Sequence, residues 1–350
     1  MHRIDPFLVD LSAYVGILRI RWYGMAYLAG AAVGYFLLRR LALAGRTQLR
    51  PEQVGDFVLT LLLGAFVGGR LGFCLFYEWR LFGVVDHFPY WGVLAVQDGG
   101  MSSHGGMIGC AVAGGWFARA NQMSFLHLMD ASVFAGSLGV VLGRIANFIN
   151  GELHGRVCPK DSRIAVQFPM EIREWSFQEL SKLADAAEAV GTPRGQWLEW
   201  LQHADRFGDR IQETRERLID AVQSGNAAAT EAMAAVLPTR YPSQLIQAVL
   251  EGLLVFAVLA ALWTRPRKPG VVGAWWVILY ATARIVGEQF REPDRAIGFE
   301  RFGLTRGQWL SLAMLGVGVA LLAYATLRKS ERMSGWTGEK TPPHGDIRLT

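Results

Sequence analysis

Residues 140–156 read VVLGRIANFINGELHGR. The left half suits a membrane helix, while the right half carries Arg144, Asn147, Asn150, Glu152, His154 and Arg156 with hardly a break. A charged side chain at the centre of a bilayer costs about 2.5–3.5 kcal/mol even on a lenient insertion scale, so such groups face an internal cavity. Arg144, Asn147 and Asn150 step by three and share one helix face. The stretch therefore reads as a membrane helix that ends in a polar pocket.

The rest of the chain agrees. Of 350 residues, 51% are hydrophobic and 19% charged, and the charge is concentrated in a few stretches. Windows of roughly 18 to 25 residues almost without charge match the thickness of a bilayer core. Seven candidate spans follow: 22–41, 54–77, 105–118, 126–145, 243–263, 271–287 and 309–327. The third is short and rich in glycine. The fold class is all-α: a polytopic membrane protein of about seven transmembrane helices with a helical extracytoplasmic insert. Residues 1–150 hold an N-terminal arm and spans one to four, 151–240 the insert, 241–330 spans five to seven, and 331–350 a disordered cytoplasmic tail.

Basic residues in short loops mark the cytoplasmic face. Arg39, Arg40, Arg46 and Arg50 follow the first span, Arg119 the third, Arg265, Arg267 and Lys268 the fifth, and Arg328, Lys329 and Arg332 the last. The N-terminus and the insert are then extracytoplasmic and the C-terminus cytoplasmic. No cleavable signal peptide is read at the start, so the first span is expected to target the chain. The net charge of +5 belongs to these loops, and no nucleic-acid partner is expected. Cys74, Cys110 and Cys158 give no disulfide framework.

Within the insert, Ser176 to Glu179 spells a capping box, and Thr192-Pro193 fits an N-cap followed by proline at the first helical position. Trp197, Leu198, Leu201, Phe207, Ile211, Leu218 and Val222 recur at helical spacing. Two or three helices covering the outer mouth of the bundle are expected.

Further polar residues lie where they are costly: Arg70 in VGGRLG, His104 in DGGMSSHGG, and Arg284, Glu288 and Arg291 on one helix face. Each has an ordinary reading. Arg291 near a span end snorkels to headgroups, Arg284 and Glu288 pair across one turn, and Gly68, Gly69 and Gly72 let helices approach. Taken together, arginines converging on one side of a bundle call for an anion, and the planar guanidinium fork suits phosphate oxygens. At the outer leaflet that phosphate is a phospholipid headgroup. His104 has no metal-ligand partners at helical spacing, so neither metal nor cofactor is expected.

Six motifs in order then resemble one family, the bacterial phosphatidylglycerol–prolipoprotein diacylglyceryl transferases. They are Trp22-Tyr23-Gly24, Gly68-Gly69-Arg70-Leu71-Gly72, the block from Asp98 to Gly109, the signature from Gly143 to Arg156, Arg240-Tyr241-Pro242-Ser243-Gln244-Leu245, and Phe290-Arg291-Glu292-Pro293-Asp294. The resemblance implies transfer of diacylglyceryl from phosphatidylglycerol to the lipobox cysteine thiol of a prolipoprotein signal peptide. A thioether forms and glycerol 1-phosphate leaves, at the bacterial inner membrane. It gives Arg144 and Arg240 the leaving phosphate, His104 the proton of the thiol, and Tyr23, Arg70, Asn147, Asn150, Glu152, Gly155 and Arg291 the substrate pocket.

The chain departs from the family pattern at Ile246-Gln247, where a Tyr-Glu pair is expected, and at Ala146, where glycine is usual. Its insert is also longer. Other classes fit less well. An anionic-lipid flippase shares the cationic cavity but would show an internal repeat. A metal-dependent phosphatidyltransferase needs an aspartate-rich helix, and an intramembrane serine protease needs a Gly-x-Ser-Gly context around Ser102 or Ser103.

Overall fold

In a computed structural model, the described residues are 1–10, 19–85, 89–96, 99–293, 298–333 and 335–337. Asp98, Asp294 and residues 338–350, on which parts of the motif and tail readings fall, lie outside them. The chain is an all-α polytopic membrane protein. Its helices are α1 (Trp22–Leu43), α2 (Val54–Phe76), α3 (Ser103–Ala120) and α4 (Phe125–Ile149), then α5 (Phe177–Leu180), α6 (Ala184–Ala189), α7 (Arg194–Gln202), α8 (Ala204–Gln223) and α9 (Ala227–Val236), and finally α10 (Ser243–Leu262), α11 (Val271–Gly287) and α12 (Arg306–Leu327). Two short strands, β1 (Phe7–Asp10) and β2 (Arg19–Arg21), pair antiparallel ahead of α1.

Among the described residues, five helices are long and apolar enough to cross a bilayer: α1, α2 with its leading turn from Pro51, α4, α10 and α12. The remaining two expected spans correspond to α3, diluted by glycine and polar residues, and α11, an apolar helix of 17 residues. Much of the apolar surface of these helices is exposed, as lipid-facing helices require: Leu28, Phe36, Phe66, Val112 and Leu327 all face outward.

The chain forms two compact units. One comprises residues 1–29, 140–254 and 280–313, the other 30–139, 255–279 and 314–350. In the second, α2 and α3 pack backbone to backbone. A Cβ on Gly72 would stand 2.7 Å from the Cα of Gly105, and one on Gly68 2.7 Å from the Cα of Gly109. Only glycine at this spacing allows so close an approach. Asp130 on α4 accepts from the backbone N–H groups of Gly270 (2.7 Å) and Gly273 (2.6 Å) and so caps the start of α11 from a neighbouring helix. Phe134, Trp263 and Trp336 form an aromatic cluster, with ring centroids 5.0 and 4.8 Å apart for Phe134–Trp263 and Trp263–Trp336. Where a disordered tail is expected from residue 331, Trp336 instead donates its backbone N–H to Trp263 and its indole N–H to Ala260.

In the first unit, α5–α9 form a helical insert with its own core of Ile172, Leu180, Leu183, Trp197, Ile211, Leu218, Val222 and Met233. The Ser176–Glu179 capping box is formed. The insert has more helices than the expected two or three, because short elements such as α5 and α6 interrupt the chain before the longer amphipathic α8. Proline at the first helical position is displaced by one: Pro193 is the N-cap of α7, and the Thr192 hydroxyl pairs with that of Thr214. Cys74, Cys110 and Cys158 are free thiols.

Candidate active site

Tyr23, Arg144, Asn147, Asn150, Glu152, Gly155, Arg240 and Arg291 all fall in the first unit, whereas Arg70 and His104 belong to the second. The first group is organised around the loop that follows α4. Gly151 turns the chain out of the helix with φ +64°, a conformation that glycine adopts without Cβ strain. The Asn147 amide donates to Glu152 Oε1 at 2.6 Å. The backbone carbonyls of Glu152 and Leu153 accept from the side chains of Gln244 (2.5 Å) and Ser243 (2.9 Å). Arg156 N–H donates to the Phe290 carbonyl, Tyr241 N–H to the Arg156 carbonyl, and Glu292 N–H to the His154 carbonyl. Gly155 pairs with Arg291 in a β-bridge. A Cβ on Gly155 would overlap the Tyr241 carbonyl oxygen and lie 2.9 Å from that of Phe290. Three distant motifs are thus woven into one polar knot at the end of α4.

Two buried ion networks flank the loop. On the helix side, Arg144 sends Nε (3.1 Å) and Nη2 (2.7 Å) to Glu251 Oε2, and Arg284 Nη1 reaches Glu251 Oε1 at 3.3 Å. Arg284 Nη2 also meets Glu288 at 3.5 Å. The Glu251 side chain has no exposure, and that of Arg144 keeps 13%. Glu251 lies in a π-helical segment of α10, Ala248–Leu254, an irregularity that often marks functional positions. Asn150 Oδ1 and both amide atoms of Gln247 are buried without a hydrogen-bond partner among the described residues.

On the insert side, Arg240 is bidentate to Glu171, with Nε to Oε2 and Nη2 to Oε1 both at 2.6 Å. Its Nη1 donates to the Gly155 carbonyl (2.8 Å) and to Glu292 (3.3 Å). Burial works against its charge, but the Glu171 and Glu292 carboxylates outweigh it and raise its pKa. His154 lies nearby, its Nε2 against the Gly151 carbonyl, and burial lowers its pKa against the pull of Glu171. Tyr23 and Tyr27 form an edge-on pair with ring centroids 5.1 Å apart.

Arg70 differs from its expected role in the substrate pocket. Its Nε donates to Val93 O, Nη1 to Gly99 O and Gly100 O, and Nη2 to Gly92 O and Ala95 O, at 2.5–3.0 Å. All five guanidinium N–H groups are spent on backbone carbonyls, so none is left for a ligand. Arg70 instead gathers the loop before α3, whose start is fixed by Ser102: its N–H donates to Gly69 O and its hydroxyl accepts from Gly105 N–H. His104 stands in that first turn of α3.

Glu171 and Glu251 were not among the expected site residues. Glu251 was visible as a lone acid in the apolar stretch SQLIQAVLEGLLVFAVL, the pattern that a buried counter-ion leaves, whereas Glu171 is followed at once by Arg173 and Glu174 and carried no such signal. The aligned arginines drew attention instead.

Apolar helices long enough to cross a bilayer, with buried arginine–carboxylate networks at one end, define a polar site of a membrane protein rather than of a soluble one. Residues 11–324 match the family model described as prolipoprotein diacylglyceryl transferase. The chain is 47% identical over 344 residues to the phosphatidylglycerol–prolipoprotein diacylglyceryl transferase of Bdellovibrio bacteriovorus, covering 96% of this chain and 97% of that protein. It is 35% identical to the enzyme of that name from Neisseria gonorrhoeae (91% and 94% covered) and 33% identical to that of Bradyrhizobium diazoefficiens (93% and 97%). The chain belongs to the prolipoprotein diacylglyceryl transferase family.

Proposed function

We propose that this chain transfers the diacylglyceryl group of phosphatidylglycerol to the lipobox cysteine thiol of a prolipoprotein, the first step of bacterial lipoprotein maturation. The thiolate attacks the glyceryl carbon, a thioether forms, the C–O bond to phosphate breaks, and glycerol 1-phosphate departs. The enzyme works in the inner membrane with its N-terminus and insert extracytoplasmic and its C-terminus cytoplasmic, as the loop charges indicate.

The observation that carries this reading is the pairing of Arg144 and Arg240 with carboxylates on either side of the Gly151–Gly155 turn, within one compact unit. Negative charge grows on the phosphate as it leaves, and cationic donors stabilise that charge more in the transition state than in the ground state. Arg144, with residual exposure, meets the phosphate directly. Arg240 is anchored on Glu171 by two short bonds, while its contact to Glu292 is long and that carboxylate is 43% exposed. Displacement of Glu292 turns the Nη1 edge of Arg240 toward the phosphate without disturbing the anchor. Asn147, Asn150, Glu152 and Gly155 shape the headgroup pocket, with Tyr23 and Arg291 at its border. His104 takes the thiol proton; a thiol with pKa near 8.5 needs modest help.

The test is mass spectrometry of a lipobox peptide incubated with purified enzyme and phosphatidylglycerol. The expected product carries one diacylglyceryl thioether, and Arg144→Ala and Arg240→Ala each abolish it. Full product yield in both variants overturns the reading. His104→Gln tests the base separately: the expected result is a rate that recovers as pH approaches the thiol pKa.

A further inference from the structure

The insert holds a feature whose outer residues the transfer reaction itself does not use. A cavity of about 280 Å³ opens beside Arg240, lined by Glu171, Trp175, Lys160, Lys182 and Leu237 among others, all within one compact unit. Its inner end is the Arg240–Glu171 pair, so one guanidinium borders both the signature loop, through the Gly155 carbonyl, and this cavity. Lys160 and Lys182 are exposed. Neither ammonium is hydrogen-bonded or ion-paired among the described residues. The two acids in the lining are already engaged: Glu171 with Arg240, and Glu179 with the Ser176 backbone and hydroxyl in the capping box. Glu179 keeps its negative charge there, so Arg240, Lys160 and Lys182 face the two carboxylates of the lining with one positive charge in excess. Trp175, Leu237 and Pro238 supply an apolar wall.

We infer that this cavity is the exit site for the phosphate monoester released by the reaction. The inference rests on the transferase reading. Diacylglyceryl transfer splits one lipid into a membrane-retained product and a small, water-soluble, doubly charged one. The second must cross from a buried guanidinium to water. Arg240 at the inner end and two exposed ammoniums without an ion-pair partner among the described residues give the lining a net positive charge that favours it. A three-carbon polyol phosphate fits the volume, with its carbon chain against the apolar wall and its phosphate on the lysines. The insert then speeds release of product as well as covering the bundle.

The experiment measures product inhibition of the full chain in lipid nanodiscs, with phosphatidylglycerol and a lipobox peptide as substrates. Each protein is its own control: the rate with added glycerol 1-phosphate is divided by the rate without it. In the wild type, glycerol 1-phosphate inhibits in a dose-dependent way, inorganic phosphate does so more weakly, and glycerol has no effect. In Lys160→Gln/Lys182→Gln, about 10-fold more glycerol 1-phosphate is needed for the same inhibition, the scale expected for two partly screened charges. Raised salt shifts the wild type in the same direction. Equal sensitivity in wild type and variant, or no inhibition of the wild type, overturns the inference. A variant with unchanged product sensitivity but a raised KM for phosphatidylglycerol also overturns it, because the cavity would then serve the lipid headgroup. Absence of any thioether product from the wild type is the separate failure of the transferase reading.

Discussion

Glu251→Gln is the most informative single change. The carboxylate is fully buried and accepts from Arg144 at 3.1 and 2.7 Å and from Arg284 at 3.3 Å. Glutamine keeps the volume but removes the charge, and its NH₂ must face one of the two guanidiniums. Two arginines offset by Glu251 and Glu288 become two offset by Glu288 alone, leaving one buried positive charge uncompensated. Removing one partner of a buried pair costs about 3–5 kcal/mol. At about 2–4 °C per kcal/mol for a chain of a few hundred residues, the thermal midpoint of the detergent-purified protein falls by on the order of 10 °C. Adding Arg284→Met removes the surplus charge. The double variant is therefore expected to recover several degrees relative to Glu251→Gln alone, a coupling that independent sites do not show. Transfer activity stays low in both, because Arg144 has lost the carboxylate that orients it. A midpoint within about 2 °C of wild type, or strictly additive losses in the double variant, refutes the reasoning.

Three further outcomes are expected. Gly155→Ala places a methyl group onto the Tyr241 carbonyl, so the turn must open; transfer is lost in the peptide assay while the protein still inserts and purifies. Arg70→Lys replaces five backbone hydrogen bonds with at most three; limited proteolysis is expected to cut residues 92–100 faster than in wild type. Burial among aromatic rings pushes His2 down to about 4, whereas an unfolded histidine titrates near about 6.5. The unfolded chain therefore binds more protons between those values, and stability falls as pH drops through that window; His2→Phe is expected to flatten the thermal midpoint against pH there, and an unchanged slope sinks the assignment.

Much of the fold was legible because apolar length and glycine spacing are local signals. The run from 126 to 145 and the helix α4 differ only at their ends, and of the glycines read as letting helices approach, Gly68 and Gly72 do meet α3, at Gly109 and Gly105. The knot around Gly155 was legible in its members but not in its geometry. Nothing in the spacing of Gly155, Tyr241 and Phe290 states that their backbones meet; that follows from non-local pairing, which only the folded chain specifies. The insert was underestimated for the opposite reason: elements as short as Phe177–Leu180 carry too few turns for helical periodicity to register.

The arginines show where composition misleads. Read as a set, Arg70, Arg144, Arg240 and Arg284 appear to demand an external anion. In the folded chain each one has internal partners, but of different kinds. Arg70 is satisfied by carbonyl dipoles, which saturate its donors without neutralising its charge. Arg144 and Arg284 share Glu251, and Glu288 offsets the second charge at longer range. Arg240 is held rigidly on one edge and loosely on the other. A site that must grip a phosphate only as its bond to carbon breaks benefits from this arrangement. Donors already neutralised hold the ground-state headgroup weakly, and donors that exchange a weak carboxylate contact for a phosphate of growing charge gain most at the transition state. The exchange is testable at Glu292. Glu292→Gln removes the competing charge while keeping the side chain, so in the role proposed for it Arg240 would meet the lipid phosphate earlier. The expected result is a lower KM for phosphatidylglycerol with an equal or lower kcat, the pattern of binding energy moved from transition state to ground state; a raised KM at unchanged kcat would show instead that Glu292 supports the pocket and does not compete for it.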